Sequence, residues 1–200
     1  MNDKISREKL IEEIKREVEN CRKCELHKFR RKPVIGEGNL YAKLMFIGEA
    51  PGYWEDIKGR PFVGAAGKLL DELLFSIGVQ RSEIYIANIL KCRPPKNRDP
   101  KPNEVRACTP YLDRQILIIK PKVIVTLGRH STSYILSKAG LRFKRMTDDH
   151  GKIFEVDHFG WNLKIVPTFH PASALYNPRY KSLILKDLKL ISKILEEMEI

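Results

Sequence analysis

Four short apolar runs, separated by stretches of helical periodicity, constrain the fold of this 200-residue chain more than any other feature. The runs are Leu44–Gly48, residues 84–88, Val123–Leu127 and Leu163–Thr168. Short runs rich in β-branched residues are typical of strands in a parallel sheet that is covered on both faces. The alternation of strands and helices, joined by right-handed crossovers, predicts an α/β fold. We expect a three-layer α/β/α sandwich with a central four-stranded parallel sheet.

Stretches with helical periodicity lie between and outside these runs. Helices are expected over residues 67–77 and 129–137, and another starts with Asn103 as its N-cap and ends before Pro121. The first and last helices carry apolar stripes, formed by Leu10, Ile14 and Val18 and by Ile184, Leu188, Ile191, Leu195 and Met198. Because no repeat, low-complexity tract or linker interrupts the pattern, we predict a single domain over residues 1–200.

The composition and charge narrow the class of protein. With 42% hydrophobic residues the chain is not disordered by composition, and it has no apolar run long enough to span a membrane. The charged N-terminal residues do not resemble a secretory signal, so an intracellular, cytoplasmic protein is expected. The net charge of +12 favours a polyanionic partner. A solvated surface rich in lysine and glutamate, as in thermophilic proteins, explains the same charge equally well.

Polar side chains stand at the ends of three of the four predicted strands. Glu49 directly follows the first run, Asn88 ends the second, and His170 comes shortly after the fourth. Open parallel sheets bind their ligands beyond the carboxyl ends of the strands. The sequence therefore predicts that these three side chains converge on one site.

The four cysteines form a second candidate site. Cys21 and Cys24 make a C-x-x-C pair, and Cys92 and Cys108 follow much later. Without a secretory signal, disulfides are not expected, whereas four thiolates can hold a tetrahedral zinc ion or an iron–sulfur cluster. The spacing matches neither a compact zinc ribbon nor a ferredoxin, so both metals remain open. Cys108 also lies on an apolar helical stripe, where a plain core residue is the alternative.

Residues 48–67 form a glycine-rich segment directly after the first strand. The segment is neither a dinucleotide fingerprint nor a phosphate loop, because G-x-G-x-x-G and G-K-[ST] are both absent. Its pattern, GEAPG-x-x-ED-x-x-GRPFVG-x-AG, resembles the first motif of the type-4 uracil-DNA glycosylases, the thermostable iron–sulfur branch of their superfamily. The resemblance continues through residues 88–98 and Cys108 to the His-Pro-Ala triplet at residues 170–172. It covers nearly the whole chain.

The resemblance implies an enzyme that flips uracil out of DNA and hydrolyses its N-glycosidic bond, leaving an abasic site for base excision repair. It assigns Asn88 to recognise the base through two hydrogen bonds, Phe62 to stack on the ring, and His170 to donate to uracil O2. Taken alone, each residue has a structural explanation as a turn asparagine, a core phenylalanine or a turn histidine.

The resemblance also places Gly48, Glu49 and Ala50 against the base, with the backbone N–H groups of Glu49 and Ala50 as contacts. The Glu49 carboxylate is expected to position water or to stabilise an oxocarbenium-like sugar. Type-1 enzymes carry a water-activating acidic residue where this chain has Ala50, so the group that activates water remains open. Glu55 is expected to exclude the thymine methyl group, and Asp56 to cap or brace the loop.

For the cysteines, the resemblance implies a [4Fe–4S] cluster held by Cys21, Cys24, Cys92 and Cys108. No redox task for the cluster is evident. We expect a structural role in which it ties the N-terminal segment to the loop of residues 91–108, near the DNA.

Uracil-containing DNA is the partner that the resemblance implies, and the enzyme is expected to act as a monomer. Leu175 or Tyr176 lies in a segment that resembles the family's intercalation loop, where either can wedge into the space that the base leaves. The alternative to this wedge is that Leu175 and Tyr176 pack in the apolar core. Phosphate contacts are expected from the basic residues Lys91, Arg93, Lys96, Arg98 and Arg179. No convincing peptide for binding a sliding clamp is evident.

The dipeptide Tyr53-Trp54 is a local variation within the first motif. An exposed aromatic contact and loop packing both remain open for it.

Two other functions fit parts of the same sequence. A non-catalytic iron–sulfur or zinc module that binds nucleic acid explains the charge and the cysteines. Such a module needs no base pocket at the strand ends, and Asn88, Phe62 and His170 therefore discriminate against it. The other is a related glycosylase with specificity shifted towards hypoxanthine or xanthine, for which Glu55 is the residue to test.

Overall fold

The computed structural model of the protein describes residues 6–157 and 159–198. Its strands are β1 (Glu37–Gly38), β2 (Leu44–Gly48), β3 (Tyr85–Asn88), β4 (Val123–Leu127), β5 (Phe154–Val156) and β6 (Leu163–Thr168). They form one six-stranded sheet in the order β1-β3-β2-β4-β6-β5. The four central strands run parallel, and the edge strands β1 and β5 are antiparallel to their neighbours. The predicted domain limits, residues 1 and 200, lie outside the described residues.

Eight α-helices are present in the described part of the chain. They are α1 (Arg7–Glu19), α2 (Tyr53–Lys58), α3 (Ala65–Ser76), α4 (Pro102–Ile119), α5 (Arg129–Lys138), α6 (Met146–Asp149), α7 (Pro171–Tyr176) and α8 (Pro178–Glu197). None of these helices is long and apolar enough to cross a membrane. Short 3₁₀ turns occupy Glu25–Lys28, Arg81–Glu83 and Pro95–Asn97.

Two apolar cores, one on each face of the sheet, hold the layers together. Successive strand residues point to opposite faces, so Met45 and Ile47 enter one core while Leu44 and Phe46 enter the other. The first core is closed by α1, α4 and α5, and the second by α3 and α8. This arrangement confirms the predicted three-layer sandwich.

The structure corrects the predicted fold in two places. The predicted four parallel strands are all present, but the sheet has two further edge strands of only two and three residues. The predicted N-cap at Asn103 is wrong, because α4 begins at Pro102 and Asn103 is its second residue. The Glu104 carboxylate accepts a hydrogen bond from the Lys101 backbone N–H at 2.8 Å, which caps the helix start in place of Asn103.

The topology places a crevice at the carboxyl edge of the sheet. The chain leaves β2 towards β3 on one side, whereas it leaves β4 towards β6 on the other. Connections that diverge from two adjacent parallel strands open a gap at their carboxyl ends. The segments after β2, β3, β4 and β6 therefore surround one site.

Candidate active site

A cavity of about 430 Å³ opens at this carboxyl edge. Volumes of about 300–1,000 Å³ are typical of small-molecule sites. The cavity is lined by the three side chains expected to converge, Glu49, Asn88 and His170. Glu55 and Phe62 of the glycine-rich segment line it as well. The convergence predicted from the strand ends is therefore confirmed.

Asn88 ends β3 inside the cavity wall with 1% of its surface exposed. Its Oδ1 is buried and has no hydrogen-bond partner in the part of the chain that the structure describes. An unpaired buried acceptor costs about 1–3 kcal/mol, so a ligand that carries a donor is favoured here. Gly48 lies opposite, where a Cβ atom would collide with Asn88 Oδ1 and lie 2.7 Å from Phe62 Cζ. Glycine at this position therefore keeps the space beside the amide open.

Lys91 supports Asn88 from behind. Its Nζ donates to the Asn88 backbone carbonyl at 2.9 Å and to Gln115 Oε1 at 2.6 Å. The side chain is 0% exposed, and burial lowers the pKa of Lys91 to about 8. The prediction that Lys91 grips a DNA phosphate is therefore wrong, because no phosphate can reach a buried ammonium group. Lys91 instead fixes the end of the strand that carries Asn88.

Phe62 adopts a left-handed backbone conformation, with φ at 50°. This conformation is strained for a residue with a bulky side chain, and such strain persists only where the surroundings impose it. Arg81 provides part of that constraint by donating to the carbonyls of Pro61 and Phe62 at 2.6 and 3.2 Å. The Phe62 ring is thereby held next to the His170 ring, with centroids 5.6 Å apart and planes 29° from parallel.

Glu55 and Asp56 hold the loops around Phe62. Glu55 Oε1 accepts hydrogen bonds from the backbone N–H groups of Val63 and Gly64, both at 2.8 Å. Asp56 is buried, and its Oδ1 accepts from the Arg31 backbone N–H at 2.9 Å. The expectation that Asp56 braces the loop is confirmed.

His170 caps α7 with its ring. Its Nδ1 accepts the Ala172 backbone N–H at 3.1 Å, so the proton of the neutral ring lies on Nε2. Burial lowers the pKa of His170 to about 4, only partly opposed by the charge of Glu55. The ring is therefore neutral near pH 7 and retains one N–H donor.

Glu49 lies in a group of ionisable side chains that the sequence did not reveal. Its Oε2 lies 3.9 Å from His130 Nε2, which is 3.4 Å from Asp99 Oδ1, and Asp99 pairs with Arg129. Burial raises the pKa of Glu49, whereas the charge of His130 lowers it. The available signal was the position of His130, two residues beyond the Gly128 that follows β4.

The four cysteines line one small cavity between α1, α4 and the end of β3. The Lys91 backbone N–H donates to Cys108 Sγ at 3.1 Å, and Arg30 Nη1 donates to Cys92 Sγ at 3.2 Å. Burial raises the pKa of the Cys108 thiol to about 12 and also raises those of Cys24 and Cys92. Cys108 belongs to the apolar core and also lines the cavity that the other three cysteines share.

The remaining residues predicted to contact DNA lie around the cavity or in α7 and the start of α8. Lys96 and Arg179 are exposed, while Arg93 and Arg98 are half-buried. Arg98 also forms a bidentate ion pair with Glu104, at 2.6 and 2.9 Å. In α7, Leu175 is 48% and Tyr176 is 90% exposed, which excludes the core position considered for both.

Comparison with known proteins agrees with this geometry. The model of the uracil DNA glycosylase superfamily matches residues 35–198. The type-4 uracil-DNA glycosylase of Sulfurisphaera tokodaii is 52% identical over 185 residues, which cover 92% of this chain and 84% of the relative. That of Archaeoglobus fulgidus is 48% identical over 92% of both chains, and that of Thermotoga maritima is 41% identical over 92% of this chain and 94% of the relative. The chain therefore belongs to the uracil DNA glycosylase superfamily and, within it, to the type-4 uracil-DNA glycosylases.

Proposed function

We propose that this protein binds a uracil flipped out of DNA and hydrolyses its N-glycosidic bond, leaving an abasic site. The unpaired, buried Oδ1 of Asn88 carries the proposal, because it requires a donor inside the cavity. A base inside a duplex is out of reach of such a cavity, so the nucleotide must be extruded or already unpaired. Because the substrate is genomic DNA, the proposed activity belongs inside the cell.

Asn88 selects uracil through complementary hydrogen bonds. Its Oδ1 accepts N3–H of uracil, and its Nδ2 donates to O4. With the amide oriented as in the structure, where Oδ1 is the unpaired atom, cytosine presents an acceptor at N3 and a donor at C4, so both contacts would be lost. Each unpaired buried group costs about 1–3 kcal/mol, which is sufficient to discriminate between the two bases.

Phe62 and Glu55 shape the pocket around the ring. Phe62 stacks on the uracil, which is worth about 1–3 kcal/mol per base. Gly48 leaves room for the base, and the backbone N–H groups of Glu49 and Ala50 contact it. Glu55 occupies the space beside C5 and excludes the methyl group of thymine. Its bonds to the backbone of residues 63 and 64 hold the carboxylate in place.

His170 supplies the main electrostatic stabilisation. When the bond between C1′ and N1 breaks, its electron pair stays on the uracil, and negative charge develops at O2. The neutral ring donates Nε2–H to O2, so this contact strengthens as the transition state forms. The Glu49 carboxylate stabilises the positive charge on the sugar and orients a water molecule. The water oxygen bonds to C1′, its proton passes to Glu49 or solvent, and the released uracil anion is reprotonated by solvent.

We further propose that the cysteines Cys21, Cys24, Cys92 and Cys108 hold a [4Fe–4S] cluster. The four cysteines line one cavity, where the Lys91 backbone N–H and the Arg30 guanidinium donate to two of the sulfurs, as suits an anionic group bound by thiolates. The resemblance to the type-4 enzymes favours a cluster over a zinc ion at this site. The cluster joins the segment after α1 to the segment after β3, which is a structural role.

DNA phosphates are gripped by the accessible basic residues Arg93, Lys96, Arg98 and Arg179. Exposure of Leu175 and Tyr176 supports the wedge that fills the space left by the flipped base.

Single-turnover cleavage of an oligonucleotide with one uracil opposite guanine tests the activity. Matched substrates carry thymine, cytosine or hypoxanthine at the same position. We expect free uracil and an alkali-labile abasic site, with no release of thymine or cytosine. Binding without release, by protein with an intact cluster, would favour the non-catalytic module. Release of hypoxanthine without uracil would show a shifted specificity.

A further inference from the structure

An exposed aromatic pair lies at the rim of the cavity. Tyr53 and Trp54 open α2, line the cavity, and remain 45% and 53% exposed. Their rings meet edge to face, with centroids 5.3 Å apart and planes 79° apart. Because about half of the surface of each residue is exposed, loop packing does not account for the pair.

Cationic side chains surround the two rings. The guanidinium groups of Arg93 and Arg31 lie 5.1 and 5.8 Å from the Tyr53 ring centroid, and Lys58 Nζ lies 6.0 Å from that of Trp54. Tyr53 has two guanidinium groups over its ring, whereas Trp54 has one more distant ammonium group and is the more exposed of the two residues. An aromatic face next to several cations matches the chemistry of an unpaired nucleotide, which has a flat base and an anionic phosphate.

We propose that Trp54 is a stacking platform for the unpaired base next to the flipped uracil in the same strand. Arg31, Arg93 and Lys58 lie close enough to contact the flanking phosphates. This inference rests on the proposed function, since it places the neighbouring nucleotide outside a cavity filled by uracil. In duplex DNA the neighbouring base is already paired and stacked, so the platform favours single-stranded substrate.

The test uses a single-stranded oligonucleotide carrying one 2′-fluoro-2′-deoxyuridine, whose glycosidic bond resists cleavage, and the same strand in a duplex. We expect Trp54→Ala to weaken binding of the single strand about tenfold, as loss of one stacked base implies, and binding of the duplex much less. Trp54→Phe should restore most of the affinity, because it retains an aromatic face.

Tyr41 provides the matched control. It is 62% exposed with the Arg7 guanidinium 4.5 Å from its ring centroid, but it precedes β2 at the opposite edge of the sheet. Tyr41→Ala should leave both affinities unchanged.

Tryptophan fluorescence gives a second measurement. The chain has two tryptophans, and Trp161 is half-buried with its Nε1 donating to the Pro121 carbonyl at 2.8 Å. In a Trp161→Phe protein, the single strand should quench the remaining signal of Trp54. If the Trp161→Phe protein does not fold, the fluorescence change of Trp54 is obtained by subtracting the change measured with Trp54→Ala from that measured with wild type.

Equal affinities of wild type and Trp54→Ala for the single strand would overturn the inference, as would an equal loss for both substrates. If wild-type protein excises uracil and Trp54→Ala binds the single strand as tightly as wild type, the stacking role of Trp54 is refuted and the proposed function stands. Wild-type protein that excises nothing, while its binding still depends on Trp54, would refute the proposed function instead.

Discussion

His170 is neutral near pH 7 because burial lowers its pKa to about 4. Its Nδ1 accepts the Ala172 N–H, which leaves the proton on Nε2, the nitrogen proposed to face uracil O2. A neutral donor suffices for this role, since the charge on O2 appears only as the bond breaks.

We expect ¹⁵N NMR of the wild-type protein to show the Nε2–H tautomer of His170, with no titration between about pH 5.5 and 8. Protonation should begin only as the pH approaches 4. A proton on Nδ1, or a titration midpoint near the ordinary value of 6.5, would contradict the assignment.

Burial and neighbouring charges act in opposite directions on the pKa of Glu49. Burial raises its pKa above the ordinary 4.5, His130 lowers it, and Asp99 raises it. Because the proposed role needs the carboxylate, the single-turnover rate should rise with pH through this raised pKa. His130→Ala should move the midpoint to higher pH, and Asp99→Asn should move it to lower pH. Profiles with the same midpoint in all three proteins would show that Glu49 does not control the rate.

Among the structural elements, the segments that carry the cysteines lead to a prediction about iron content and thermal stability. The cluster is proposed to tie the segment after α1 to the segment after β3, so its loss should loosen both. Cys24→Ser should lower the iron content from about four per chain and reduce the Tm by at least about 5 °C.

Wild-type protein stripped of iron by a chelator is the matched comparison and should unfold at the same temperature as Cys24→Ser. An unchanged Tm after iron loss would exclude the structural role. A change in the single-turnover rate on reduction or oxidation of the intact cluster, at saturating DNA, would show a redox role.

The elements that apolar periodicity specifies were predictable, and those set by distant contacts were not. The four central strands and the strand-end residues Glu49, Asn88 and His170 follow from local patterns. The edge strands are too short for a pattern and exist only through pairing with β3 and β6. Lys91 lies in a basic stretch of the sequence, which predicts an exposed side chain. Its burial follows from long-range packing and from its hydrogen bonds to Asn88 and Gln115, which the sequence does not show.

At the scale of the whole molecule, the net charge of +12 should set a salt-dependent affinity for DNA. Phosphate contacts from Arg93, Lys96, Arg98 and Arg179, with Arg31 and Lys58 added beside Trp54, predict that log K falls with log salt at a slope of roughly −4 on single strands. The slope should be the same when thymine replaces uracil, because phosphate contacts carry no base information.

Lys96→Ala should make this slope shallower by about 0.7. Lys15→Ala is the control, since Lys15 is also exposed but lies on α1 and pairs with Glu12 at 3.4 Å. Equal effects of the two substitutions would show that the charge acts through the whole surface and not through contacts at the cavity.

Asn88 is proposed to recognise uracil inside a catalytic pocket. The most direct measurement is single-turnover release of uracil from one oligonucleotide by wild type, Asn88→Ala and Asn103→Ala, with Asn103 exposed on α4 as the control. We expect wild type and Asn103→Ala to release uracil at the same rate. Asn88→Ala should be at least about tenfold slower, because it loses two buried hydrogen bonds to the base. Equal rates for all three proteins would contradict the claim.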